Sequence, residues 1–183
     1  IRPIAGGECL RKLTARALVR EHKLTLLDAV CQHQFGAGRP GGAEILAHTI
    51  QVVSEAHPDR AWVQLDVANA FPSVSRRAVL DAVAEYAPAL LPVTEAFLRR
   101  TSSFVYLDAS GRGVPLLATL GVEQGDVLGP LLFAMAFRAP LERLRRRLVD
   151  LLHTEHGFAP DEADAAVVLG AYLDDALVGL PAA

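Results

Sequence analysis

The chain has 183 residues, half of them hydrophobic, and a formal net charge of −3. That length allows one ordinary domain or a piece of something larger, and the slight acidity argues against a complete nucleic-acid machine, whose phosphate contacts would come from Lys and Arg. No apolar run approaches the ~18 residues of a membrane span and no signal peptide opens the chain. Cys9 and Cys31 lack zinc-ligand spacing, so two reduced thiols in a soluble, intracellular protein are the default, with nucleus and cytoplasm not separable.

The first residue is Ile1, and the final LPAA follows closely on an acidic pair. With the high apolar content this reads as a fragment whose exposed faces are covered by absent segments.

In chain order, Glu8 to Glu21 is predicted helical, with Leu10, Leu13, Ala17 and Leu18 on one face. The glycine-punctuated run QFGAGRPGG then forms a loop before a helix from about Ala43 to Glu55. Such a loop can cradle phosphate on its amides, but the Lys-Ser/Thr of a P-loop and the dinucleotide fingerprint are both missing. A structural turn is the better reading.

The segment AWVQLDVANAF is a β-rich apolar run that delivers one carboxylate, Asp66, just before a turn or helix start. Ser73 or Ser75 can cap a helix running to about Tyr86, and another is supported from Pro88 to Arg100. A hairpin follows, with its turn at Asp108 to Gly113.

The block GVEQGDVLGPLLFA passes from a loop into an apolar helix starting near Val127, with Pro130 tolerable in its first turn. Gln124 and Gly125 lie at the mouth of that helix, where amides and a neutral side chain can meet a nucleotide; a plain loop is the alternative. Beyond it, Leu141, Leu144, Leu148 and Leu151 form a stripe ringed by Arg143, Arg145, Arg146 and Arg147. A nucleic-acid patch and a solvated helix face explain those arginines equally well.

In VVLGAYLDDALVG two strand-like runs meet at adjacent carboxylates, Asp174 and Asp175. Two buried neighbouring acids demand neutralisation, and a divalent cation provides it. Together with Asp66 they make a hard oxygen-ligand set suited to Mg2+ and to phosphoryl transfer.

Five blocks, IRPI, QFGAGRPGGAE, QLDVANAF, GVEQGDVLGPLLFA and AYLDD, stand in the order and spacing of the reverse transcriptases, and most closely resemble those of non-LTR retrotransposons. The match covers nearly the whole chain. It implies an α+β fold comprising the fingers and palm of a right-hand polymerase, with an antiparallel palm sheet packed on helices and no thumb. Residues 1–60 would be fingers and 61–183 palm, with a fingers-side helical insertion around 77–105.

The resemblance implies an RNA-directed DNA polymerase using an RNA template, a DNA primer, deoxynucleoside triphosphates and two Mg2+ ions, or Mn2+ in their place. Asp66, Asp174 and Asp175 would be its catalytic carboxylates. The metal set would comprise those three and the backbone carbonyl of Val67. Tyr172 would lie near the primer terminus, and Arg2, Phe71, Gln124 and Gly125 would line the nucleotide site, Phe71 as a gate against the ribose 2′-hydroxyl.

Plainer roles compete: Phe71 as a core aromatic, Tyr172 as a strand residue, Arg2 as a terminal charge. The chain departs from the family pattern at Pro72, where many relatives have Asp, and at Val127, where Ser or Pro is usual. An RNA-directed RNA polymerase palm and a non-enzymatic retroelement relic remain the alternatives. The RNA polymerase reading is disfavoured by Phe71 and by AYLDD in place of Gly-Asp-Asp.

Overall fold

The computed structural model describes residues 9–30 and 32–181. In chain order its elements are α1 (Cys9–Glu21), α2 (Lys23–Ala29), α3 (Gly42–Ala56), β1 (Ala61–Asp66), α4 (Ala70–Ser73), α5 (Arg76–Tyr86), a 3-10 turn (Pro88–Leu90), α6 (Leu91–Leu98), β2 (Ser102–Leu107), β3 (Gly113–Ala118), α7 (Gly129–His156), α8 (Pro160–Ala166), β4 (Val168–Tyr172) and β5 (Asp175–Leu180). This is an α+β chain with small antiparallel sheets. Among the described residues no helix is long and apolar enough to cross a membrane.

The elements gather into two compact units, residues 1–29 with 69–136 and residues 30–68 with 137–183. The second unit holds a three-stranded antiparallel sheet in the order β1-β5-β4. Its register pairs Leu169 with Val178 and Ala171 with Ala176, and strand alternation puts these four on one face. They join Leu141 in a core against which Phe137, Leu144, Leu148 and Leu180 pack.

Three of the four leucines expected on the α7 stripe, Leu141, Leu144 and Leu148, therefore meet the sheet, but Leu151 does not. It is 39% exposed, and Leu152, 4% exposed, takes its place beside Ala163 and Val167. Leu151 and Leu152 flank the stripe about equally, and the neighbours Ala163 and Val167 are what bury Leu152. Helix α7 runs through Pro140 without interruption.

The opposite face of the sheet meets α3. A Cβ on Gly170 would come within 2.3 Å of the Leu46 side chain, so glycine is what lets that helix approach. At the start of α3 a Cβ on Gly42 would overlap the Phe35 carbonyl, so the last glycine of the QFGAGRPGG run serves close packing. The loop is a structural turn, as its residues suggest, rather than an open cradle.

In the first unit, Ser75 rather than Ser73 caps α5, accepting from the Ala78 N–H at 3.4 Å. Ser73 instead closes α4, its hydroxyl donating to the Asn69 carbonyl at 2.8 Å. Arg76 opens α5 yet is buried; its guanidinium donates to the Gly121 and Arg100 carbonyls at 3.1 and 2.7 Å and to the Ser102 hydroxyl at 2.9 Å. One side chain thereby ties α5, the segment after α6 and the loop after β3.

The expected hairpin forms between β2 and β3, from Ser102 opposite Ala118 to Leu107 opposite Gly113. Asp108 organises its turn: one carboxylate oxygen accepts from the Ser110 N–H, the Ser110 hydroxyl and the Arg112 N–H. The Ser110 hydroxyl above all holds the Asp108 carboxyl below its ordinary range. Val105, Tyr106, Leu107, Leu116 and Leu117 stay exposed on this two-stranded sheet.

Candidate active site

Three residues form a row across the sheet of the second unit. Asp66, last in β1, lies directly opposite Asp175, first in β5, and Asp175 lies opposite Tyr172, last in β4. Directly paired residues share a face, so all three project from the face opposite the α7 core. Asp66 and Asp175 are exposed, and Tyr172 is 42% exposed.

Asp174 completes the set from the two-residue loop, Leu173–Asp174, that joins β4 to β5. Leu173 has φ +56, the positive value that tight hairpin loops need to follow the twist of their strands. For a leucine that conformation costs about 1 kcal/mol, so the surrounding structure must hold it.

The holder is Gln34, which is fully buried. Its Oε1 accepts from the Leu173 N–H at 2.7 Å and the Gly36 N–H at 2.9 Å, while its Nε2 donates to the Leu173 carbonyl at 3.1 Å. The backbone on either side reinforces the contact, Phe35 N–H donating to the Ala171 carbonyl and Ala171 N–H to the His33 carbonyl, both at 2.7 Å. Gly36 fits because a Cβ there would come within 2.6 Å of the Leu173 nitrogen.

Like charges set directly opposite on neighbouring strands repel, and a hard cation is the counter-charge that suits carboxylates at a sheet end. The donor chemistry of Asp66, Asp174 and Asp175 therefore fits Mg2+ or Mn2+. Among the described residues, though, no three His, Cys, Asp or Glu side chains are already gathered as a ligand cluster. Backbone register sets Asp66 opposite Asp175, with Asp174 in the adjoining turn. Val67 follows β1, half-buried.

The remaining described site residues belong to the first unit. Phe71 is 8% exposed and stacks on Phe133, with ring centroids 4.9 Å apart and planes at 23°. Its carbonyl accepts from the Val122 N–H at 2.9 Å, and the Gly121 N–H donates to the Val74 carbonyl at 2.8 Å. Gly121 has φ +79 and a Cβ there would strike the Pro72 carbonyl at 2.4 Å, so this close passage requires glycine.

That passage leads into the turn carrying Gln124 and Gly125, Gln124 half-exposed and Gly125 exposed. Arg11 grips the turn on both sides: Nη1 donates to Glu123 at 3.0 Å and Nε to Asp126 at 2.7 Å, with the guanidinium 4.5 Å above the Phe97 ring. Asp126 also accepts from the Leu128 N–H at 2.9 Å, ahead of α7. Arg2 lies outside the described residues.

Sequence reasoning passed over Gln34, Arg11 and Arg76. The signal for Gln34 was a polar residue beside an apolar one at the head of a glycine loop, and it is weak. Arg11 and Arg76 carry no local signal, since each looks like an ordinary helix cation.

The chain is 28% identical, over 187 aligned residues, to the Retrotransposable element SLACS 132 kDa protein of Trypanosoma brucei gambiense. The alignment takes in 98% of this chain but 14% of that protein, so the chain spans about a seventh of that relative. Among solved structures it is similar to telomerase from Candida albicans in complex with a TWJ fragment of telomeric RNA, with a TM-score of 0.54 and 11% identity over 94% of this chain and 30% of that one. At that identity the likeness is one of fold. No family model matches.

Proposed function

We propose that the chain is the fingers and palm core of a non-LTR retrotransposon reverse transcriptase, extending a DNA primer with deoxynucleotides on an RNA template. The observation that carries this reading is the register of Asp66 with Asp175, with Asp174 in the adjoining turn. The likeness to a retrotransposable-element protein and to telomerase supports it.

On this reading Asp66, Asp174 and Asp175, with the Val67 carbonyl, would hold two divalent cations. The chemistry such ions would supply is activation of the primer 3′-hydroxyl and charge stabilisation of the leaving pyrophosphate. The carboxylates orient and balance charge; none acts as an acid or base. Tyr172, exposed beside Asp175, would contact the primer end, while Gln124 and Gly125, steadied by Arg11, would meet the incoming nucleotide. Arg2 would touch its triphosphate.

A second reading, the palm of an RNA-directed RNA polymerase, is favoured by one observation. Phe71 is buried against Phe133, as a core aromatic would be, which weakens it as a gate against ribose.

Primer extension on an RNA template, with Mg2+ and each class of nucleoside triphosphate, tests both readings on this chain and on the whole gene product. Deoxynucleotide extension that vanishes in the Asp174→Ala, Asp175→Ala variant is the expected result. Equal use of ribonucleotides would select the second reading, and no extension by the whole gene product would overturn both in favour of a relic.

A further inference from the structure

The acidic turn has a support that lies far from it in sequence. Leu173, between Tyr172 and Asp174, sits at φ +56, a conformation leucine does not hold by itself. Both of its backbone polar groups are met by one buried side chain, the amide of Gln34, whose acceptor also takes the Gly36 N–H. An amide suits this duty because it presents an acceptor and a donor on one rigid plane.

We propose that Gln34 is the positioning residue of the acidic turn: by bonding the N–H and C=O of Leu173 it holds the left-handed loop and so sets the directions from which Asp174 and Asp175 present their carboxylates to a divalent cation. Gly36 is the second half of the device, leaving the space in which the Leu173 nitrogen approaches. The inference rests on the reading of those aspartates as cation ligands. It assigns the QFG run a function at the acidic pair rather than at a phosphate.

Three features separate positioning from mere filling of the core. The hydrogen bonds go to the loop backbone and not to a neighbouring side chain. They converge on the one loop residue with positive φ. The parallel pairing of Gln34 with Ala171 docks the clamp on β4 independently, so removing the amide need not undock the segment.

The test is Mn2+ binding, read from the EPR signal of the free ion, on the full chain with folding checked by circular dichroism. Gln34→Met, of similar volume and without the amide, should weaken Mn2+ affinity about tenfold or more, the usual effect of losing a group that orients metal ligands. Adding Leu173→Gly should recover much of the loss, because glycine takes positive φ at no steric cost. A packing role predicts no such rescue.

Gly36→Ala should weaken binding comparably while leaving the Gln34 amide intact, and it carries the test if Gln34→Met does not fold. Wild-type affinity in either folded variant, or loss without rescue by Leu173→Gly, would overturn the inference alone. Unchanged Mn2+ binding by the Asp174→Ala, Asp175→Ala variant would overturn the metal reading, and the inference with it.

Discussion

Asp66 and Asp175 stand directly opposite each other at the ends of antiparallel strands β1 and β5, two like charges at the closest cross-strand position. Such a pair costs about 0.2–1 kcal/mol in the absence of a counter-ion. On the proposed reading, a divalent cation bound there would remove that cost.

Asp66→Asn is accordingly expected to raise stability in EDTA by up to about 1 kcal/mol, and to abolish the rise in Tm that Mg2+ or Mn2+ should give the unaltered chain by mass action if it binds there. In an extension assay with the whole gene product the same change should lower the rate about a thousandfold or more. Thermal melts with and without metal decide the first part; a variant still stabilised by Mg2+ would exclude Asp66 as a ligand.

Phe71 offers a test of stability against selectivity. Its burial on Phe133 predicts that Phe71→Ala costs about 3–5 kcal/mol by denaturant unfolding. If the ring also senses the sugar, the milder Phe71→Val should raise ribonucleotide use relative to deoxynucleotide use by about tenfold. A lost midpoint with an unchanged ratio would assign Phe71 to the core alone.

Arg11 should act on nucleotide binding without touching the nucleotide. Its bonds to Glu123 and Asp126 bracket Gln124 and Gly125. Arg11→Ala removes the guanidinium from two mostly buried carboxylates, at a cost of about 1–3 kcal/mol given the partial exposure of the arginine. It should raise KM for the triphosphate more than it lowers kcat, and steady-state kinetics that reverse this order would argue against the role.

Arg76 is predicted to be the least replaceable cation of the first unit. Arg76→Met strands the Gly121 and Arg100 carbonyls and the Ser102 hydroxyl, and should cost about 3 kcal/mol. Arg76→Lys should recover only part of this, because an ammonium cannot reproduce the planar fork. Chemical denaturation of the two variants gives the comparison directly.

His33 supplies a pH dependence. Burial, and next the Arg145 guanidinium, hold its imidazole below the ordinary 6.5, outweighing the Leu169 backbone hydrogen bond, Glu142 and Asp164, which act upward. A depressed folded value means that the unfolded chain binds more protons between the two values, so stability is full above 6.5 and falls as pH drops toward the folded value. His33→Gln should flatten the urea midpoint across that window. The Asp164 carboxyl, held down chiefly by its hydrogen bond from Arg145, loses its contribution only below the ordinary 3.8, outside the window.

The ends of β1 and β5 at Asp66 and Asp175, the Asp108 turn and the glycine loop follow from alternation and turn chemistry, which act over a few residues. The α7 stripe was legible to Leu148, then slipped from Leu152 to Leu151, because a periodic pattern of leucines does not say where the packing surface ends.

The sequence by itself determined which residues carry charge and where strands and turns bring them, since those properties travel with the local chain. Tertiary structure alone decided their support: Gln34 at Leu173, 139 positions away, Arg11 at Asp126, 115 away, and Arg76 at Gly121, 45 away. A polar side chain can be buried only where distant backbone or carboxylate groups satisfy it, and no local periodicity encodes which groups those will be.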